Sequence, residues 1–298
     1  MRTGTALLTL AVFAVPLLVS ACSSADASTR DSAQAGENVL INLYDHVTGP
    51  NSGDAIPDWG YSAFIRYRGT TILFDGGTSA VILEHNARTL GVDLREVDMA
   101  VVSHNHGDHT VGIDYLVQVN PSVAIYVPAG SGLGGSGDRY RKGYRWQIDE
   151  LHAVGRATEI VPGATLIPTS SPHTGQFSRY PPHEQEPQLY RLPELSLALE
   201  KDDGSIFLVT GCSHSGVNAI VRAAQEATGA DIDLVTGGFH LGPYSRDYVL
   251  EVARAMKEDL GVAHAGATHC TGDQAIAIFG DTFGEGYVFA GLGARIAF

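Results

Sequence analysis

The sequence predicts an α/β protein made of two sheets covered by helices, and three observations predict it. Hairpin signals stand in each half, at Arg68-Gly69 and at Asp202-Asp203-Gly204, each between apolar runs. Segments of helical spacing separate the later strands. No repeat of 20 to 50 residues is visible and no linker splits the chain beyond residue 38, so one domain is expected there.

In chain order, Asn38 to Tyr44 alternates as a strand. Tyr61 to Tyr67 and Thr70 to Phe74 make the first hairpin, and Ala80 to Leu90 has helical spacing closed by Gly91. Asp98 to Ser103 is a short buried strand. A His-rich turn, a helix to about Val119, a strand at Val123 to Val127 and a Gly-rich loop or lid from Gly130 to Gly143 follow. Leu195 to Glu200 and Ser205 to Thr210 form the second hairpin. Helices are expected at Val217 to Ala227, Tyr248 to Asp259 and Asp273 to Phe279, alternating with strands at Ile232 to Thr236 and Val262 to Thr268.

Composition narrows the function. With 44% hydrophobic residues among 298, the chain can bury a sizeable core. A net charge of -14 repels a phosphate backbone, so no nucleic-acid partner is expected, and a small-molecule substrate is the default. Three cysteines exclude a disulfide framework or a cysteine-only zinc module, whereas 12 histidines invite an imidazole metal site. A disulfide between Cys212 and Cys270 is a minor alternative in an oxidising compartment.

The N-terminus reads as an address. Arg2 precedes the apolar run Ala6 to Val19, which is too short for a membrane span and ends in Val19-Ser20-Ala21-Cys22. That tetrapeptide resembles the lipobox of bacterial lipoproteins. The resemblance implies a signal peptide at 1–21, lipidation of Cys22, export to the cell envelope and membrane contact through the lipid anchor only. Residues 22–37 read as a flexible tether, leaving 38–298 as the folded domain.

Chemistry concentrates in Ser103-His104-Asn105-His106-Gly107-Asp108-His109, which sets three imidazoles and a carboxylate in one turn after an apolar strand. Borderline divalent ions take such N and O ligands. His214, His240 and His269 each follow an apolar strand in the same way, so strand ends would gather them at one edge. His214 and His269 are expected ligands, while His240 is a ligand, a support for one, or a substrate-contacting group. The turns Ser213 to Gly216 and Thr271-Gly272 open predicted helices, whose N-termini attract anions. Thr271 and Arg179, or Arg191, are therefore candidate contacts for a substrate anion.

Leu73-Phe74-Asp75-Gly76-Gly77, the H-x-H-x-D-H turn and the later single histidines, in this order, resemble the metallo-β-lactamase-fold hydrolase superfamily. Within it the chain is most similar to proteins related to dihydropterin ribofuranosyl-aminobenzene phosphate synthase. The motifs are Asn42-Leu43-Tyr44-Asp45, His85-Asn86-Ala87, Thr210 to Asn218, Gly237 to Leu241 and His269-Cys270-Thr271-Gly272. The resemblance implies a four-layer αββα sandwich holding one or two divalent ions, zinc first, with manganese or iron as alternatives. His104 and His106 would serve one ion and Asp108 and His109 a second, with His214 and His269 completing the set. Asp75 would brace the histidine turn from behind, and Asp108 and His240 would act in catalysis.

One departure stands out. Where many superfamily members carry a bridging aspartate, this chain has Gly211-Cys212-Ser213-His214, so Cys212 or His214 takes that place, or no carboxylate bridges; His214 is the favoured ligand, with Cys212 supporting it from behind. His173 is a further candidate ligand. The implied activity is metal-dependent hydrolysis of an ester, lactone, amide or phosphoester. The alternatives are a pterin-related synthase or transferase, and a non-catalytic metal-binding or ligand-sensing lipoprotein.

Overall fold

The computed structural model describes residues 1, 38–133, 151–171 and 192–298. Cys22, His173, Arg179, Arg191 and most of the Gly130 to Gly143 stretch lie outside them. The chain divides into Met1–Gly36 and Glu37–Phe298, and the architecture below belongs to the second unit.

Strands β1 (Val39–Tyr44), β2 (Ser62–Tyr67), β3 (Thr70–Phe74), β4 (Met99–Val101), β5 (Ala124–Pro128) and β6 (Leu151–Val154) form one sheet, with β13 (Arg295–Ala297) beside β1. The second sheet runs β12 (His264–Thr268), β11 (Ile232–Gly238), β10 (Ile206–Thr210), β9 (Leu192–Glu200), β8 (Ala164–Ser171), β7 (Thr158–Val161). Each sheet holds a parallel set, β3 to β6 in the first and β10 to β12 in the second, joined to antiparallel neighbours.

Strand periodicity makes the layers. Ala63, Ile65 and Tyr67 of β2, Ile72 and Phe74 of β3, Leu195, Leu197 and Leu199 of β9, and Phe207 and Val209 of β10 form the core between the sheets. The alternate residues face outward. Phe64 and Leu73 pack under α1 (Ala80–Thr89) and α3 (Ile113–Val119). Ala198, Ile206 and Leu208 pack under α4 (Val217–Thr228), α5 (Arg246–Arg254) and α6 (Asp273–Phe283). The result is helix, sheet, sheet, helix, the four-layer αββα order that the sequence implies.

The differences from the sequence reading have local causes. The helix expected to run to Val119 breaks into α2 (Gly107–Thr110) and α3, because the chain crosses closely over Gly76-Gly77 between them. Gly112 donates its N–H to Gly77 O, and a Cβ on Gly112 would lie 1.7 Å from Gly76 O. Strands β6, β7, β8 and β13 were not read from the sequence. The first two are partly exposed, and Pro168 inside β8 argues against a strand.

Candidate metal centre

Besides Arg68 in the β2–β3 hairpin turn, four non-glycine residues just past strands adopt left-handed backbone: Asp75 after β3 (φ 60°), Ser213 after β10 (φ 60°), His240 after β11 (φ 51°) and His269 after β12 (φ 49°). Such conformations are unfavourable for residues with a Cβ and cluster at functional sites. Here each one turns the chain sharply off a strand. Gly211 allows a close approach, since a Cβ there would sit 2.2 Å from Ser103 Oγ.

The N-terminal half contributes His104, His106, Asp108 and His109, held by the buried Asp75. The Asp75 carboxylate accepts from Ser103 N (2.7 Å), from Ser103 Oγ (2.7 Å) and from His109 Nδ1 (2.7 Å). Ser103 Oγ, having given its proton to Asp75, accepts from His104 Nδ1 at 2.9 Å. One carboxylate thereby fixes the orientation of two rings and turns both Nε2 atoms into the centre. His104 Nε2 lies 3.1 Å from His106 Nδ1, two ring nitrogens converging on one point.

The C-terminal half contributes Cys212, His214, His240 and His269. Neither ring nitrogen of His214 or of His269 has a hydrogen-bond partner among the described residues. Buried imidazoles without partners are costly unless something binds them. Ligand atoms fall into three groups, each within 4.8 Å: His104, His106 and His214; Asp108, His109, Cys212 and His269; and Cys212, His214 and His240. These overlapping, nitrogen-rich groups, with one carboxylate and one thiol, suit a borderline divalent ion such as zinc.

Electrostatics separates these histidines. Burial, reinforced by the surrounding histidines, pushes His104 and His214 well down, and burial lowers His269 to about 4. Burial opposes charge on His109 too, but Asp75 and Asp108 hold it up to about 9. Burial would also raise Asp108, yet His109 and His269 draw it down. His240 is raised, with burial opposed by Cys270, Glu194 and Asp108.

The structure therefore brings His104, His106, Asp108, His109, His214 and His269 together, with Asp75 behind them and His240 at 4.3 Å ring separation from His214. Cys212 and His214, alternatives for one position in the sequence, are both present: they share a group with His240, and each also belongs to one of the other two. Cys212 Sγ lies 3.1 Å from His109 Nε2, so it stands among the ligand atoms rather than behind them. Cys212 and Cys270 are free thiols. Thr271 requires correction as an anion contact. Its buried hydroxyl donates to Thr268 O (2.6 Å) and accepts from Phe239 N (2.9 Å), which occupies it within the turn.

Two residues of the centre escaped the sequence reading. Trp59 donates its Nε1–H to Asp108 Oδ2 (2.9 Å) and lies against the His269 ring at 5.1 Å. Glu194, at the start of β9, is fully buried beside the turn that carries His214. Neither belongs to a local motif. A cleft of about 400 Å³ opens over the centre, lined by Trp59, Thr78, His106, Asp108, Val111, His214 and His240 among others.

Residues 70–288 match the family model for the beta-lactamase superfamily domain. The 7,8-dihydropterin-6-methyl-4-(beta-D-ribofuranosyl)-aminobenzene-5'-phosphate synthase of Methanocaldococcus jannaschii is 27% identical over 258 residues, covering 76% of this chain and 84% of that protein. Among solved structures, Tm1679, a metal-dependent hydrolase of the beta-lactamase superfamily, superposes with a TM-score of 0.69 at 24% identity. That match covers 87% of this chain and 98% of the other. Zn(2+)-bound PqqB from Methylobacterium extorquens gives a TM-score of 0.57 at 12% identity, covering 87% and 99%. At these identities the structural likenesses show the fold.

Proposed function

The chain belongs to the beta-lactamase superfamily, and on that premise we propose that it is a metal-dependent hydrolase of a small ester, lactone, amide or phosphoester. The observation that carries the reading is the pair of adjoining ligand clusters under one cleft, with ring orientations preset by Asp75. His104, His106 and His214 would hold one divalent ion, and Asp108, His109, Cys212 and His269 a second. When bound, such ions polarise the bond to be cleaved and lower the pKa of water enough for attack near neutral pH.

The chain's own groups would do the rest. Asp75 holds the His109 Nδ1 directly and the His104 Nδ1 through Ser103, so that the Nε2 atom of each ring is the one aimed inward. Trp59, by binding Asp108 Oδ2, fixes the carboxylate plane and shields one side of it. His240 lies at the cleft wall with its proton affinity raised, where it would give a proton to the departing group. We place the protein at the bacterial envelope, anchored through Cys22, on the sequence alone; no helix among the described residues is long and apolar enough to cross a membrane.

The test is hydrolysis of p-nitrophenyl acetate and bis(p-nitrophenyl) phosphate by the zinc-loaded protein. Turnover abolished by a chelator and restored by zinc is the expected result. A second reading, a pterin-related synthase or transferase, is favoured by the 27% identical relative. Zinc-loaded protein inert on both probes but active on a dihydropterin substrate would establish that reading instead.

A further inference from the structure

The first strand residues of β9 touch both halves of the centre. Leu195 donates its backbone N–H to Ser103 O at 2.7 Å, gripping the residue whose hydroxyl orients His104. One position earlier, Glu194 Oε2 accepts from Ser215 N at 3.3 Å; burial raises its pKa, and the amides of Ser215, His214 and Ser213 pull the other way. Glu194 is wholly buried, and its other oxygen, Oε1, has no hydrogen-bond partner among the described residues. A buried carboxylate with one oxygen unpaired is unfavourable, and native proteins keep such groups where they serve a site.

The turn that it touches is the strained one. Ser213 is left-handed at φ 60°, and its hydroxyl is tied to Gly238 O at 2.7 Å. The Ser215 amide bonded to this carboxylate, with the two preceding amides beside it, holds such a backbone in place.

We propose that Glu194 is a positioning residue for the C-terminal half of the centre: it clamps the Ser213–Ser215 turn through its amides and so sets the direction of His214 and Cys212. It is the counterpart of Asp75, acting on backbone where Asp75 acts on imidazoles. With Leu195 on Ser103, the start of β9 then fixes the spacing between the two halves. The inference rests on the metal-centre reading only for its second readout.

The test uses the full chain and two variants, Glu194→Met, which fills the space without accepting hydrogen bonds, and Glu194→Gln, which retains an acceptor oxygen. Hydrogen exchange in the absence of zinc should show the Ser213 to Ser215 amides opening at least about tenfold faster in Glu194→Met, and close to the parent rate in Glu194→Gln. Zinc affinity should fall about ten- to hundredfold in Glu194→Met and recover in Glu194→Gln, the range typical of groups that orient metal ligands. Unchanged exchange in Glu194→Met overturns the proposal, as does a Glu194→Gln variant no better than Glu194→Met. If Glu194→Met fails to fold, Glu194→Gln decides: parent-like amide exchange with parent-like zinc affinity supports the clamp, and faster exchange overturns it. A parent protein that binds no zinc defeats the metal reading and leaves the exchange result to judge Glu194.

Discussion

The N-terminal and C-terminal halves of the centre supply comparable numbers of ligand atoms by opposite means. Around His104 and His109 the supports are side chains: Asp75 and Ser103 fix both rings before anything binds. Around His214 and His269 the rings have no hydrogen-bond partners among the described residues, and left-handed backbone at Ser213 and His269 does the aiming. The first half is thus preorganised by hydrogen bonds and the second by backbone conformation. The distinction teaches where each half is vulnerable. The first fails when one carboxylate is lost, and the second when a turn relaxes.

The largest expected effect breaks the first half. Asp75→Ala leaves Ser103 and His109 without their acceptor, so zinc affinity should drop about ten- to hundredfold and chelator-sensitive hydrolysis with it. Isothermal titration with zinc checks this, and parent-like affinity would show that Asp75 does not organise the ligands. Zinc stoichiometry sharpens the comparison, because His104→Ala combined with His106→Ala should lose most of the metal whereas Cys212→Ser should weaken mainly the Asp108, His109 and His269 cluster.

Acid–base behaviour gives the next effect. His109 and His269 have ring centroids 5.0 Å apart, yet in the metal-free protein they titrate on opposite sides of neutrality. His109, raised to about 9, adds stability that is full below its unfolded value near 6.5 and is lost as pH rises through about 9. His269, lowered to about 4, adds stability present above about 6.5 and lost as pH falls through about 4. Imidazole NMR of the metal-free protein at pH 7 should show one of this pair cationic and the other neutral. Two neutral rings would mean that His109 is not held protonated beside Asp75.

The smallest effect concerns the rim. Trp59→Phe keeps an aromatic face but removes the N–H that holds Asp108, a loss of about 0.5–1.5 kcal/mol for a single hydrogen bond, at the low end because the indole is half exposed. Zinc affinity should weaken by roughly two- to tenfold on that scale. No change would show that Asp108 is fixed by other means.

What was legible in the sequence was whatever is local. The turn from His104 to His109 announces itself because four candidate ligands stand within six residues, and the strand-then-histidine pattern at His214, His240 and His269 is local as well. The hairpins around Gly69 and Gly204 could be read from their turn residues and alternating runs. Trp59 and Glu194 could not, because each is one residue in an unremarkable stretch brought to the centre only by sheet topology. Strand β8 was obscured by Pro168, and the split between α2 and α3 depends on a contact with Gly76 that lies far away in the chain. Thr271 misled for the opposite reason: a helix-opening turn suggests an exposed hydroxyl, but the fold uses that hydroxyl to hold Phe239.

The left-handed residues at the strand ends bear on how this scaffold could be altered. Each costs on the order of 1–3 kcal/mol as a non-glycine side chain in that backbone, so the centre is spring-loaded and lowers the global stability of the domain. Glycine at Ser213 would relieve that tension, trading the hydroxyl contact to Gly238 O for a slacker hinge. Directed evolution selecting only for heat resistance would therefore drift toward glycine at these corners, yielding sturdier proteins with blunted metal capture.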